Sequence, residues 1–261
     1  MPPARVVLFA STIGGIGFAV RSAIVGAPPL SVCIAATLAY GAIITVGVLV
    51  LRLRMFADAV VHGEEGTKGV ALTFDDGPHP VHTRKILDIL DARDAKATFF
   101  VIGRKAKAHR DVVEEILKRG HTIGVHGYAH DRLFSLRGAD RVRRDLAEAV
   151  ALLTDIAGEA PTLFRPPIGH TNPTIVRVAS ELDLEIIGWS VAARDGVGGS
   201  APDDIVRRVR PGIEDGAIVL LHDAAENDDR EPASIGALPG ILDAIDAQNL
   251  SVTPLATFLP S

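Results

Sequence analysis

Between Leu30 and Leu51 the chain runs LSVCIAATLAYGAIITVGVLVL without a charge. That is more than the ~20 residues a helix needs to cross a ~30 Å hydrocarbon core. Arg52 and Arg54 follow at once, as a stop-transfer flank would. The run predicts a transmembrane helix. The preceding stretch, Val6–Ala27, is also apolar and broken only by Arg21, with Pro28-Pro29 as the divider. It reads as a second span whose arginine snorkels to the interface, making a hairpin. A cleaved signal peptide is the alternative. Its basic region would be Arg5 alone, however, and Pro28 directly after Val25-Gly26-Ala27 is unfavourable for cleavage.

Residues 1–54 carry four arginines and no acid, so removing them from the net charge of −5 leaves −9 on residues 55–261. An acidic remainder without a basic patch argues against nucleic acid as a partner. The single cysteine, Cys33, lies inside the apolar run, can form no intrachain disulfide and reads as a small buried hydrophobe. The positive-inside rule puts Arg5, Arg52 and Arg54, and with them the rest of the chain, on the cytoplasmic side. The charge difference across the spans is small, so the sequence leaves the side of the membrane open.

From about Lys68 short β-branched and aromatic runs alternate with amphipathic stretches. Strands are expected at 69–74, 96–102, 121–126, 162–165, 184–191, 216–222 and 250–255, and helices at about 82–93, 105–119, 138–157, 173–182, 202–210 and 237–248. Val112, Val113, Ile116 and Leu117 follow helical spacing, and Gly120 ends that helix. Segment 224–235 (AAENDDREPASI) has the composition of a disordered loop. Strand–helix alternation implies an α/β fold with a parallel sheet, open or closed into a barrel, whose active residues collect at strand C-termini. The expected layout is an anchor over 1–54, a linker over 55–67 and a catalytic domain over 68–261.

The polar motifs sit at those strand ends. The first strand runs into Asp75-Asp76-Gly77-Pro78, where one carboxylate could bind a cation while the other serves as base. The plainer reading is a helix cap or Asx-turn. Neighbours on a strand point to opposite faces unless the chain bends after them. The third strand ends in His126-Gly127-Tyr128-Ala129-His130, two imidazoles four residues apart that can grip one metal. With nine histidines present, chance pairs are common, but two histidines and one carboxylate make a catalytic donor set with open positions. Arg165-Pro166-Pro167-Ile168-Gly169 combines an arginine with a stiff loop. Arg194-Asp195 follows Trp189-Ser190-Val191, and the last apolar strand delivers His222-Asp223, a histidine suited to general-acid work beside a tuning carboxylate. Each motif alone favours the plainer reading; their coincidence at successive strand ends favours a site.

Taken together, TFDDGP, H-x-x-x-H, the arginine-proline loop and the His-Asp strand end resemble the polysaccharide deacetylases with the NodB homology domain, carbohydrate esterase family 4. The resemblance covers about residues 68–258 and implies a distorted (β/α) barrel. It also implies Asp75 as catalytic base, Asp76, His126 and His130 as metal ligands, and Arg165 as the arginine orienting the base. By the same resemblance Asp195 supports the catalytic histidine, His222 is the general acid, the Ile168 N–H meets the oxyanion and Leu220 walls the acetate pocket. Zinc is the default cation, while cobalt, nickel or iron suit the same ligands. The implied activity is metal-dependent removal of N-acetyl groups from polysaccharide- or peptidoglycan-type glycans. Deacetylation or deformylation of a lipid-linked sugar at the membrane face is the enzymatic alternative. A weak, membrane-anchored glycan-binding module is the non-enzymatic one. Four departures stand out: Gly127 replaces a bracing Ser or Thr, Ile168 a Tyr, Ala192 an Asp and Gly196 an aromatic. The lost aromatic puts tight binding of a long glycan in doubt.

Overall fold

A computed structural model describes residues 1–196, 200–226 and 230–259. Two apolar helices, α1 (Pro3–Val25) and α2 (Leu30–Leu49), come first. The α/β body follows as β1 (Ala71–Asp75), α3 (His82–Asp91), β2 (Thr98–Val101), α4 (Gly103–Ala108), α5 (Arg110–Lys118), β3 (Thr122–Val125), α6 (Ala139–Ala157), β4 (Leu163–Phe164) and α7 (Pro173–Glu181). Then come β5 (Glu185–Ile186), β6 (Val191–Ala192), α8 (Pro202–Val209), β7 (Ile218–His222) and α9 (Ser234–Asp246).

The strands form one parallel sheet in the order β5-β4-β3-β2-β1-β7-β6. The two edge strands are neighbours in sequence. Ile186 to Val191 spans at most ~18 Å of extended chain, whereas opposite edges of a flat seven-stranded sheet would lie ~29 Å apart at ~4.8 Å per strand. The sheet must curl until its edges nearly meet, so the expected barrel is the observed architecture. The same geometry corrects the single strand expected at 184–191. Its first half pairs with β4 and its second half with β7, and the chain between them bridges the gap.

Helix packing follows the apolar spacing. Along α6, Val142, Leu146, Ala149 and Leu153 are buried in successive turns, and α5 buries Val112, Val113 and Ile116. Each large aliphatic side chain removed from water in this way contributes about 1.5–3 kcal/mol. Asn172 caps α7 by accepting from the Ile175 N–H at 2.9 Å, with Pro173 at the first helical position. Central β1 is buried throughout, as a strand with helices on the outside and other strands on both flanks must be.

Three further expectations need correction. The helix expected at 105–119 breaks at His109 into α4 and α5. The strand expected at 250–255 reduces to one bridge, Val252 to Val70, and Pro254 two residues later has no N–H to extend it. The segment expected as a linker packs on the barrel. Met55, Ala57, Ala59 and Val60 are buried, and Val60 pairs in parallel with Ile187 beside β5, exchanging hydrogen bonds with Ile186 and Gly188. Within segment 224–235, residues 227–229 lie outside the described residues, and α9 already begins at Ser234.

Helices α1 and α2 are long and apolar enough to cross a membrane, judged by length and composition. They form a hairpin with a Thr12 Oγ1 to Tyr40 hydroxyl contact of 2.9 Å, and bury almost nothing within the protein. Its base is fixed to the body: Arg5 pairs with Asp58 at 2.9 Å and donates to the Arg54 carbonyl, while the Thr171 N–H donates to the Val48 carbonyl at 3.0 Å.

Candidate active site

Asp75 ends β1 and Asp76 follows with φ of 72°, in the left-handed region. That turn breaks strand alternation, so both carboxylates line one cavity of about 370 Å³ at the C-terminal mouth of the barrel. The glycine after them has a steric cause. A Cβ on Gly77 would fall 2.0 Å from Asp223 Oδ2, which is held by the Thr83 hydroxyl at 2.5 Å. Asp223, expected to tune His222, thus turns away from it, and burial pushes its carboxyl up to about 7.

Asp76, His126 and His130 are all buried, and one ligand atom from each lies within 4.8 Å of the others. Asp76 Oδ1 is 3.5 Å from His126 Nε2 and 3.2 Å from His130 Nε2, and has no hydrogen-bond partner among the described residues. In a tetrahedral site with ~2.1 Å metal bonds, ligand atoms lie ~3.4 Å apart. The donor set and the orphaned oxygen therefore fit a divalent cation. The His126 Nδ1–H donates to the Arg165 carbonyl at 2.7 Å, which leaves Nε2 unprotonated and aimed at the cluster. Burial lowers the His126 pKa, keeping it in the neutral form a metal requires. His130 Nδ1 lies 3.1 Å from Glu226 Oε1. Burial raises the Glu226 pKa, but Arg132 and His130 outweigh it and bring the carboxyl down to about 2.

Asp75 faces the same cavity, its Oδ2 3.8 Å from His126 Nε2. Arg165 is wholly buried and donates to Asp75 Oδ1 at 2.8 Å, to Thr73 Oγ1 at 2.8 Å and to the Gly188 carbonyl at 2.8 Å. Its guanidinium also lies 4.2 Å from the Phe100 ring centroid. One side chain thus ties the carboxylate to the segment that closes the barrel. Burial lowers the Arg165 pKa against the opposing pull of Asp75, yet a guanidinium stays charged in such a pair.

Across the cavity, His222 ends β7. Its Nδ1–H donates to Asp195 Oδ1 at 2.9 Å and its backbone N–H to Asp195 Oδ2 at 2.8 Å. Burial disfavours the imidazolium, but Asp195 and the two site aspartates outweigh it and raise the pKa to about 9. His222 is therefore protonated at neutral pH in the cation-free site. Leu220 and the half-exposed Ile168 also line the cavity, so every residue expected at the site borders it or, as with Arg165 and Asp195, contacts one that does.

Two departures find structural counterparts. The brace absent at Gly127 comes from half-buried Asp145 on α6, which accepts from the Tyr128 N–H at 2.7 Å and the Ala129 N–H at 3.1 Å. At Gly196 a Cβ would fall 3.1 Å from His222 Cε1, so the glycine leaves the imidazole its place. Asp145, Arg132 and Glu226 belong to no motif. Only their convergence in space reveals them.

A profile of the polysaccharide deacetylase family matches residues 62–187. Two Bacillus cereus peptidoglycan-N-acetylglucosamine deacetylases are similar: one is 37% identical over 68% of this chain and 60% of its own length, the other 33% identical over 74% and 88%. The chain thus spans 60% of the first of them. Among solved structures, the Bc1960 peptidoglycan N-acetylglucosamine deacetylase superposes with a TM-score of 0.71 at 31% identity, covering 76% of this chain and 91% of that one. A family 4 acetyl xylan esterase from Clostridium thermocellum, in complex with a cobalt ion, gives 0.66 at 30% identity, covering 72% and 89%. In sequence and in fold alike, this chain belongs to the polysaccharide deacetylase family.

Proposed function

We propose that the chain is a metal-dependent hydrolase that removes N-acetyl groups from N-acetylated glycans of polysaccharide or peptidoglycan type. The observation that carries this reading is the division of the two adjacent aspartates: Asp75 paired with buried Arg165, and Asp76 beside two imidazoles with its Oδ1 accepting no hydrogen bond among the described residues. A divalent cation held by Asp76, His126 and His130, zinc by default, would supply Lewis acidity toward the acetyl carbonyl. Asp75, held in place by the Arg165 hydrogen bond, accepts the proton of the attacking water. The Ile168 N–H donates to the developing oxyanion, as a preorganised backbone dipole can. His222, held in one tautomer by Asp195, delivers its Nε2 proton to the departing amine. Leu220 gives the acetyl methyl an apolar wall.

Residues 1–54 act in this reading as an integral membrane anchor, because a hairpin of apolar helices that buries almost nothing against the body needs a lipid surround. A second reading, deacetylation or deformylation of a lipid-linked sugar, is favoured by the Val48–Thr171 hydrogen bond, which fastens the end of α2 beside the loop carrying Ile168 and Gly169. A weak glycan-binding module is disfavoured by the intact base, ligands and acid. Mass spectrometry of products from a panel of N-acetylated glycans and lipid-linked sugars is the test. Loss of acetyl groups from a soluble N-acetylated glycan supports the first reading, and loss from lipid-linked sugars alone supports the second. Intact substrates throughout would remove both.

A further inference from the structure

A second cavity of about 590 Å³ adjoins the active site and shares with it Gly169, Trp189 and Arg194. Its opposite wall is the end of α2 and the turn after it, from Leu49 to Leu53. Three arginines line it, Arg52, Arg194 and Arg208, and among the described residues no acidic side chain does. All three are exposed, none is in a salt bridge among the described residues, and Arg208 spends one N–H on the Ala193 carbonyl. This sets them apart from most other surface arginines of the body, such as Arg84, Arg110 and Arg119, which are matched to carboxylates. The groove therefore joins the deacetylation pocket to the point where the apolar hairpin would leave a bilayer, and its charge is uncompensated.

We propose that this groove is an anion subsite that seats the phosphate of a lipid-carried N-acetylated sugar while the sugar's acetamide lies in the catalytic pocket. The inference rests on the deacetylase reading of that pocket. Guanidinium groups suit phosphate because they present paired N–H donors with a fixed charge. The lipid follows from position: the cations stand against the last turn of α2, at the level of the headgroups, and a prenyl or acyl tail can run from there along the exposed apolar surface of the hairpin. A soluble glycan needs no positive groove at this height. Trp189, on the boundary of the two cavities, gives the sugar a face to stack on between its two anchoring points.

The test uses the full chain in nanodiscs of a zwitterionic lipid, with Asp75→Asn present so that binding is read without turnover. The probes are polyprenyl-phosphoryl N-acetylglucosamine embedded in the disc, N-acetylglucosamine 1-phosphate in solution and the neutral N-acetylglucosamine trimer. Arg194→Gln and Arg208→Gln should each weaken both phosphate probes about tenfold relative to the trimer, the usual effect of losing one charged hydrogen bond. The lipid-borne probe should bind at least about tenfold tighter than the soluble phosphate, through its higher effective concentration at the membrane. Unchanged relative binding in both variants would overturn the anion subsite. Equal affinity for soluble and lipid-borne phosphate would overturn the lipid occupant. Because no turnover is required, a failure of deacetylation in the wild-type chain would bear only on the reading of the pocket.

Discussion

Replacing Asp75 by Asn changes one atom's charge and almost no shape, and so separates the two aspartates by function. The amide oxygen can still accept from Arg165 at the position now occupied by Asp75 Oδ1, 2.8 Å away. What is lost is the proton acceptor and the counter-charge of a cation with no exposure to solvent. Losing a general base costs about 10²–10⁴ in turnover, or about 3–5.5 kcal/mol in the barrier. Breaking a buried pair costs about 3–5 kcal/mol of stability. The lower end applies, because Arg165 keeps Thr73 Oγ1 and the Gly188 carbonyl as acceptors. Metal content should stay at the wild-type level, since Asp76, His126 and His130 are untouched. Asp76→Asn should do the opposite: weaken the cation, with part of the activity recovered as metal is added. The assay is turnover against added zinc for both variants, with bound metal measured on the folded proteins. Rescue of Asp75→Asn by metal, or near-wild-type turnover in it, would refute the division of labour.

Other consequences are as direct. NMR titration of the cation-free protein should place His222 near 9, and Asp195→Asn should bring it down, because burial then acts with less opposition. As the folded value lies above the ordinary ~6.5, protonation of His222 stabilises the fold fully below that pH, and the contribution is lost as pH rises through about 9; a His222 pKa unmoved by Asp195→Asn contradicts the pairing. Asp145→Ala removes the brace under the His126–His130 loop and should lower zinc affinity about 10–100-fold, as loss of an outer-shell partner does; competition titration with a chromophoric chelator reads it, and unchanged affinity would make the brace irrelevant. Alkaline carbonate should leave the full chain in the membrane pellet, on the strength of α1 and α2; release into the supernatant refutes integral anchoring.

The expected site residues are readable in the chain because each belongs to a short motif at or near the end of an apolar run. Strand periodicity alone puts Asp75, His126, Arg165 and His222 at one mouth of a parallel sheet. The positive φ of Asp76, which turns its carboxylate to the same side as that of Asp75, is legible only as the need for some bend after the pair. The split of residues 184–191 between two sheet edges is not legible, since an extended run looks alike whether it pairs with one neighbour or closes a barrel between two. Residues 55–61 mislead for a related reason. Six of the seven are apolar, so the run carries no periodic signal, and it is the burial of Met55, Ala57, Ala59 and Val60 together with the pairing of Val60 to Ile187 that makes them part of the barrel. Asp145, Arg132 and Glu226 act through long-range contacts, so nothing in their own neighbourhoods distinguishes them from solvated surface charges. Conversely, the Asp223 carboxylate sits next to His222 in sequence but serves Thr83, while distant Asp195 takes the place at the imidazole.

The most direct test of the central claim is to follow acetate release from an N-acetylated glycan by the full-length chain in heavy-oxygen water, with zinc, with a chelator, and with zinc restored. Hydrolysis by the Asp76–His126–His130 site with Asp75 as base predicts one new amine for each acetate, a heavy oxygen in that acetate, arrest by the chelator and recovery on restoring the metal. Amines formed at an undiminished rate in the chelator, or acetate without the heavy oxygen, would contradict metal-assisted attack by water at this site.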